Sequence, residues 1–274
     1  MGVHLGHQKL KRRIRALEDM GARSVVFALN ARAGAQLFTP EEQKDVVERL
    51  GVSCLIQCPF VPKISGMGPE DFVEEILVRR LHAKYIVVGC DFRFGHQRKG
   101  DTEMLKRLGK LHGFAVEVME KETYGEREIS STYVREALGA GRMDLVRELL
   151  GRPFAVKGVV RHGRRIGRTL GMPTVNLIPP EEKLLPPNGV YATKTCIDGC
   201  FYQGITNIGC KPTVDGSFRG VETYLFDVDM DLYGKEIVTE LYSFERPEQK
   251  FPSLEALKNQ MHRDISFGKE YFRG

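Results

Sequence analysis

Gly151-Arg-Pro-Phe-Ala-Val-Lys-Gly-Val-Val-Arg161 marks the point where the chain changes its grammar. Before it, short β-branched runs alternate with longer helical patterns. The runs are Ser24–Leu29, Ser53–Gln57, Tyr85–Gly89 and Ala115–Val118, and this alternation predicts a parallel sheet covered by helices. One of those helices opens at Thr39-Pro-Glu-Glu42, where Thr39 can cap, Pro40 suits the first helical position and Glu42 completes a capping box. After Gly151, the segments Phe154–Arg161, Thr174–Leu177, Val190–Cys196, Phe201–Ile208, Thr223–Asp229 and Ile237–Phe244 read as strands separated by Gly, Pro, Asn and Asp turns. A helix follows only at Ser253, a fitting cap with Glu255 in the first turn. The expected architecture is a Rossmann-type α/β domain over 1–150 and an antiparallel all-β barrel with a C-terminal helix over 151–274.

The bulk numbers fit two domains. At 274 residues, with 42% hydrophobic and 28% charged residues, each half can bury its own core. No apolar run approaches bilayer-spanning length, and the amino terminus has neither a basic segment nor an apolar one. A cytoplasmic protein is expected. There are 24 basic against 21 acidic residues through Leu150 and 17 against 15 beyond it, so the charge of +5 is spread and not gathered into a nucleic-acid stripe. The six cysteines include no C-x-x-C pair and have no histidines at zinc spacing, which leaves them as reduced thiols. Nothing in the sequence sets the oligomeric state.

The densest chemistry lies in Gly158-Val-Val-Arg-His-Gly-Arg-Arg-Ile-Gly-Arg-Thr-Leu-Gly-Met-Pro-Thr-Val-Asn176. Gly158, Gly163, Gly167 and Gly171 free the backbone to approach a ligand, while Arg161, His162 and Arg168 supply positive charge. A phosphate cradle and an exposed arginine-rich hairpin both satisfy that pattern. Thr174 and Asn176, two residues apart on a strand, point their oxygens to one face. They suit Mg²⁺, and equally a locally hydrogen-bonded turn.

This stretch resembles the G-x-x-x-GR-x-LG-x-PT-x-N signature of riboflavin kinases. Asn188–Tyr191, Thr206–Thr213, Glu222–Asp227, Asp231–Gly234 and Arg246–Phe251 resemble further family segments in the same order, so the likeness covers 153–274. It implies that Glu222 is the general base toward riboflavin's ribityl hydroxyl, that Thr174 and Asn176 hold Mg²⁺ at ATP, and that Arg246 reaches a phosphate.

In the first half, His4-Leu-Gly-His7 precedes a helical pattern, which would place both imidazoles and free amides at the positive end of a helix dipole. H-x-G-H resembles the signature of nucleotidylyltransferases. With Gly89–Gly95, which contains Asp91 and Phe92, and with Ile129–Arg135, which contains Ser130, Ser131, Thr132 and Arg135, it resembles the FMN adenylyltransferase module of bacterial bifunctional riboflavin kinase/FAD synthetases. The resemblance implies that FMN is adenylylated to FAD by ATP. Two departures stand out. The family's strand ending in F-D-G before the histidines is missing, with Met1 where the aspartate would be, and Phe27–Ala33 replaces a P-H-P-like turn. The expectation is an impaired adenylyltransferase beside an intact kinase. The alternatives are an H-x-G-H enzyme for another phosphate substrate, or a flavin-binding module without turnover.

Overall fold

The computed structural model describes residues 4–18, 21–30, 34–59, 61–162, 171–213 and 216–273. They divide into two compact units, residues 1–131 and 132–274.

In the first unit, helix α1 (Leu5–Arg15) leads to strand β1 (Val25–Asn30), then α2 (Pro40–Arg49) and β2 (Cys54–Pro59). The wide, π-type helix α3 (Phe72–Arg80) precedes β3 (Tyr85–Gly89), α4 (Thr102–His112) and β4 (Ala115–Met119). The predicted capping box is present: the Glu42 amide donates to Thr39 Oγ1, and the Thr39 amide donates to the Glu42 carboxylate. Asp101 caps α4 by accepting from the Met104 amide.

Each β-α-β crossover makes its strands parallel, as a helical connection requires: β1 pairs with β2 and β3 with β4. Among the described residues these remain two separate pairs and not one continuous sheet. Apolar packing binds α3, β3 and α4 through Phe72, Ile76, Val88, Leu105 and Leu108. Arg13 of α1 and the Tyr85 hydroxyl of β3 both donate to the Glu117 carboxylate on β4, at 2.9 and 2.8 Å. A short hairpin, β5 (Thr123–Tyr124) and β6 (Arg127–Glu128), closes the unit.

The second unit opens with helices α5 (Ser131–Gly139) and α6 (Met143–Leu150). Then come β7 (Phe154–Val159), β8 (Thr174–Leu177), β9 (Gly189–Ile197), β10 (Cys200–Thr213), β11 (Gly216–Leu225) and β12 (Glu236–Pro247), and finally α7 (Leu254–Tyr271). All six strands join one antiparallel sheet in the order β7-β12-β9-β10-β11-β8. The two edges meet where the Arg161 amide, just past β7, donates to the Asn176 carbonyl of β8 at 2.8 Å. That bond curls the sheet toward a barrel, with Phe154, Leu177, Tyr191, Ile208 and Leu241 fully buried inside. Helix α6 packs on β7 and β12, and α7 on β9 and β10. Ser253 caps α7 by accepting from the Ala256 amide.

The sequence pattern placed the β11 strand too late, at Thr223–Asp229. Gly216–Gly220 reads as a turn, but it stays paired with the long β10, glycine against glycine at Gly209 and Gly220. Beyond Leu225 the chain turns away, with Asp227 in a left-handed conformation at φ +56°. No helix among the described residues is long and apolar enough to cross a membrane.

Candidate functional site

In the barrel the site follows from strand register. Antiparallel pairing sets Glu222 opposite Asn176 and Tyr224 opposite Thr174, and side-chain alternation brings all four to one face of the sheet. The Thr174 hydroxyl donates to Glu222 Oε1 at 2.6 Å. From β10, Lys211 Nζ donates to Asn176 Oδ1 at 2.6 Å and to Glu222 Oε2 at 2.9 Å. Two oxygen-bearing side chains thus hold one ammonium group, and Thr174 joins them through Glu222. Hard oxygen donors in a field that already favours a cation fit a hard divalent ion.

These residues line a cavity of about 520 Å³, which also has apolar walls at Val190, Ile205, Phe251 and Met261. His162 lines it too, with its ring 3.8 Å from that of Tyr233. Gly171 sits at φ +76°, a conformation that favours glycine. Gly158 lies within β7, opposite Ile237. The expected phosphate-loop residues Gly163, Gly167 and Arg168 lie outside the described residues.

Arg246 faces the same cavity, but its guanidinium is engaged. It donates through Nε and a terminal nitrogen to both oxygens of Asp264 on α7, at 2.9 and 2.5 Å. Gln260 donates to the same carboxylate. Asp264 is 2% exposed, so this bidentate pair fastens α7 to β12.

In the first unit, His4 and His7 stand one turn apart at the start of α1, their rings 4.0 Å apart. Burial pushes His4 down to about 4, against the raising influence of the Asp91 carboxylate. Burial and the neighbouring His4 push His7 down to about 3. Both imidazoles are therefore neutral at pH 7. Neither Nδ1 has a hydrogen-bond partner among the described residues. Asp91 also pairs with Lys121 at 3.3 Å, and Phe92 stacks on the buried Phe94. Ser130 and Ser131 end this unit, Ser131 as the first residue of α5, and Thr132 and Arg135 follow in the same helix within the second unit.

Sequence reading missed two residues. Lys211 belongs to a motif that gave it no role, because its partners are 35 and 11 residues away and only strand register joins them. Asp264 had a legible signal, an acid on the inward face of an amphipathic helix.

Comparison with known proteins follows the same division. A family model described as riboflavin kinase matches residues 150–272, and one described as FAD synthetase matches 2–133. The bifunctional riboflavin kinase/FMN adenylyltransferase of Buchnera aphidicola subsp. Acyrthosiphon pisum is 37% identical, covering 99% of this chain and 90% of that protein. Its counterpart in Haemophilus influenzae is 34% identical over 99% of this chain and 91% of that one. The Escherichia coli K12 protein of the same description is 35% identical over 99% and 90%. The crystal structure of a protein described as a macrolide-efflux protein from Streptococcus pneumoniae superposes with a TM-score of 0.85 at 28% identity, covering 96% of this chain and 89% of that one. Two family models in sequence, and relatives matching from end to end, establish that the chain belongs to the family of bifunctional riboflavin kinase/FMN adenylyltransferases.

Proposed function

We propose that the barrel transfers the γ-phosphoryl group of ATP to the ribityl hydroxyl of riboflavin, giving FMN and ADP. The α/β domain then transfers AMP from ATP to FMN, giving FAD and pyrophosphate. The boundary between the two activities is placed at Leu150–Gly151, and the enzyme is assigned to the cytoplasm. The observation that carries the kinase reading is the meeting of Thr174, Asn176 and Glu222 on adjacent strands, with the Thr174 hydroxyl donating to Glu222.

Thr174 and Asn176 would hold Mg²⁺, which supplies neutralising charge to the ATP phosphates when bound. Because the Thr174 hydroxyl directs its proton at Glu222, its lone pairs are left for a cation. Glu222 accepts the proton of the ribityl hydroxyl as that oxygen attacks. Gly158, Arg161, His162 and Gly171 face the phosphates. Arg246 orients α7 along the cavity through Asp264. In the α/β domain, His4 and His7 donate hydrogen bonds to the reacting phosphate, Asp91 and Phe92 shape the nucleotide side, and Ser130, Ser131, Thr132 and Arg135 grip the phosphates. The adenylyl transfer is expected to be the slower of the two steps.

The test is to incubate the full chain with riboflavin, ATP and Mg²⁺ and to separate the flavins over time. FMN is expected first and FAD later. Glu222→Gln is expected to slow FMN formation by about 10²–10⁴-fold while FAD formation from supplied FMN persists. Wild-type rates in Glu222→Gln would remove the base assignment, and absence of FMN from the unaltered chain would remove the kinase reading.

A further inference from the structure

We infer that Lys211 is a resident cation that holds the metal and base residues of the kinase site in place before substrate arrives, and yields that place when a divalent ion enters. The inference rests on the reading of Thr174, Asn176 and Glu222 given above. Asn176 Oδ1 and Glu222 Oε2 are both acceptors and cannot bond to each other, so a donor has to stand between them. Lys211 Nζ bridges them at 2.6 and 2.9 Å. Asn176 is 8% exposed, so its amide oxygen relies on the lysine as its partner within the protein. The ammonium therefore occupies coordination that a divalent ion would need.

Neighbouring sequence makes room for this arrangement. The Lys211 stem lies across Gly220 of β11, where a Cβ would stand 2.9 Å from Lys211 Cε and 3.0 Å from Cδ. Gly220 does not have the left-handed backbone that calls for glycine, so what its missing side chain provides is space. The site thus contains a channel for the stem as well as partners for the head. A lysine suits a place that must be vacated, since its compact charge rides on four flexible methylenes.

The experiment measures Mn²⁺ binding to the full chain without nucleotide, by loss of the free ion's paramagnetic resonance signal. Lys211→Met is expected to bind Mn²⁺ about tenfold more tightly than the unaltered chain, because the competing charge is gone. Gly220→Ala, which crowds the stem but keeps the lysine, is expected to shift binding the same way by a smaller factor. A lysine that only supported the fold would give the opposite sign, since its loss would loosen the donor set. Unchanged or weaker binding in Lys211→Met overturns the inference. Should that variant not fold, Gly220→Ala decides by the same sign. Adding Asn176→Ala to Lys211→Met locates the ion. If the gained binding survives that change, the metal reading fails and the inference with it. If Lys211→Met gains nothing while Asn176→Ala still weakens binding, the inference alone fails.

Discussion

The barrel and the α/β unit treat buried polarity in opposite ways. Inside the barrel, Thr193, Thr195, Thr206, Thr223 and Thr239 are almost wholly buried, and they bond to one another: Thr206 to Thr193 at 2.9 Å and to Thr223 at 2.8 Å, Thr195 to Thr239 at 3.2 Å. The buried Asp264 is satisfied by Arg246 and Gln260. In the α/β unit, α1 turns a polar face inward at His4, Gln8 and Lys11, and the Nδ1 atoms of both histidines have no partner among the described residues. The barrel commits these threonines and Asp264 to the fold. The α/β unit holds two imidazoles neutral, in a state that an anionic ligand would change.

The largest effect should come from cutting the strongest buried pair. Asp264→Ala leaves the largely buried Arg246 guanidinium without its bidentate partner, and is expected to cost the barrel about 3–5 kcal/mol in urea unfolding. A loss under about 1 kcal/mol would mean that the pair behaves like a surface bridge and that α7 is fastened by apolar packing alone.

Acid should next separate the two regions. The folded-state pKa values of His4 and His7 lie below the ordinary histidine value of 6.5. Their neutral burial therefore contributes stability that is present above pH 6.5 and lost as pH falls toward 4 and 3. Between pH 7 and pH 5 the α/β unit is expected to lose on the order of 2 kcal/mol per histidine, read from hydrogen exchange at the β3 and β4 amides. Replacing both histidines with glutamine should flatten that slope. If it persists in the double variant, other groups carry it. Saturating ATP should raise both imidazole pKa values, seen by NMR titration.

The smallest effect has the opposite pH sign and belongs to the barrel. Glu245 is the extra residue where the β12–β9 register shifts between Phe244 and Arg246, and its Oε2 has no hydrogen-bond partner among the described residues. Burial, then the Asp264 carboxylate, push it up to about 7, while Arg246 acts the other way. A raised carboxyl contributes stability that is full below its ordinary value of 4.5 and lost as pH rises through 7. Glu245→Gln is expected to stabilise the barrel by about 1 kcal/mol at pH 8 and to change little at pH 5, in paired thermal melts. An equal shift at both pH values would show that the carboxyl does not titrate with folding.

Local rules were legible where the interaction is local. The capping box at Thr39 and Glu42 and the Ser253 cap each join residues three apart, so their chemistry is visible in a short window. Strands β3 and β8 were placed at their observed bounds because β-branched runs there end in clear turn residues. The β10–β11 hairpin was not, because Gly216-Ser-Phe-Arg-Gly220 is bounded by glycines and has no β-branched residue to signal a strand, and it is held in place by its partner.

The same division governs the site. By itself the sequence determined the two domain types, the Thr174/Asn176 pair on one strand face, and Glu222 as a candidate base, since alternation and motif order need no distant partner. Tertiary structure alone decided that Glu222 faces Asn176, that Lys211 bridges them, and that Arg246 is held by Asp264. Those are contacts between residues 11 to 46 positions apart, and they exist only once strand register and helix docking have fixed which side chains meet.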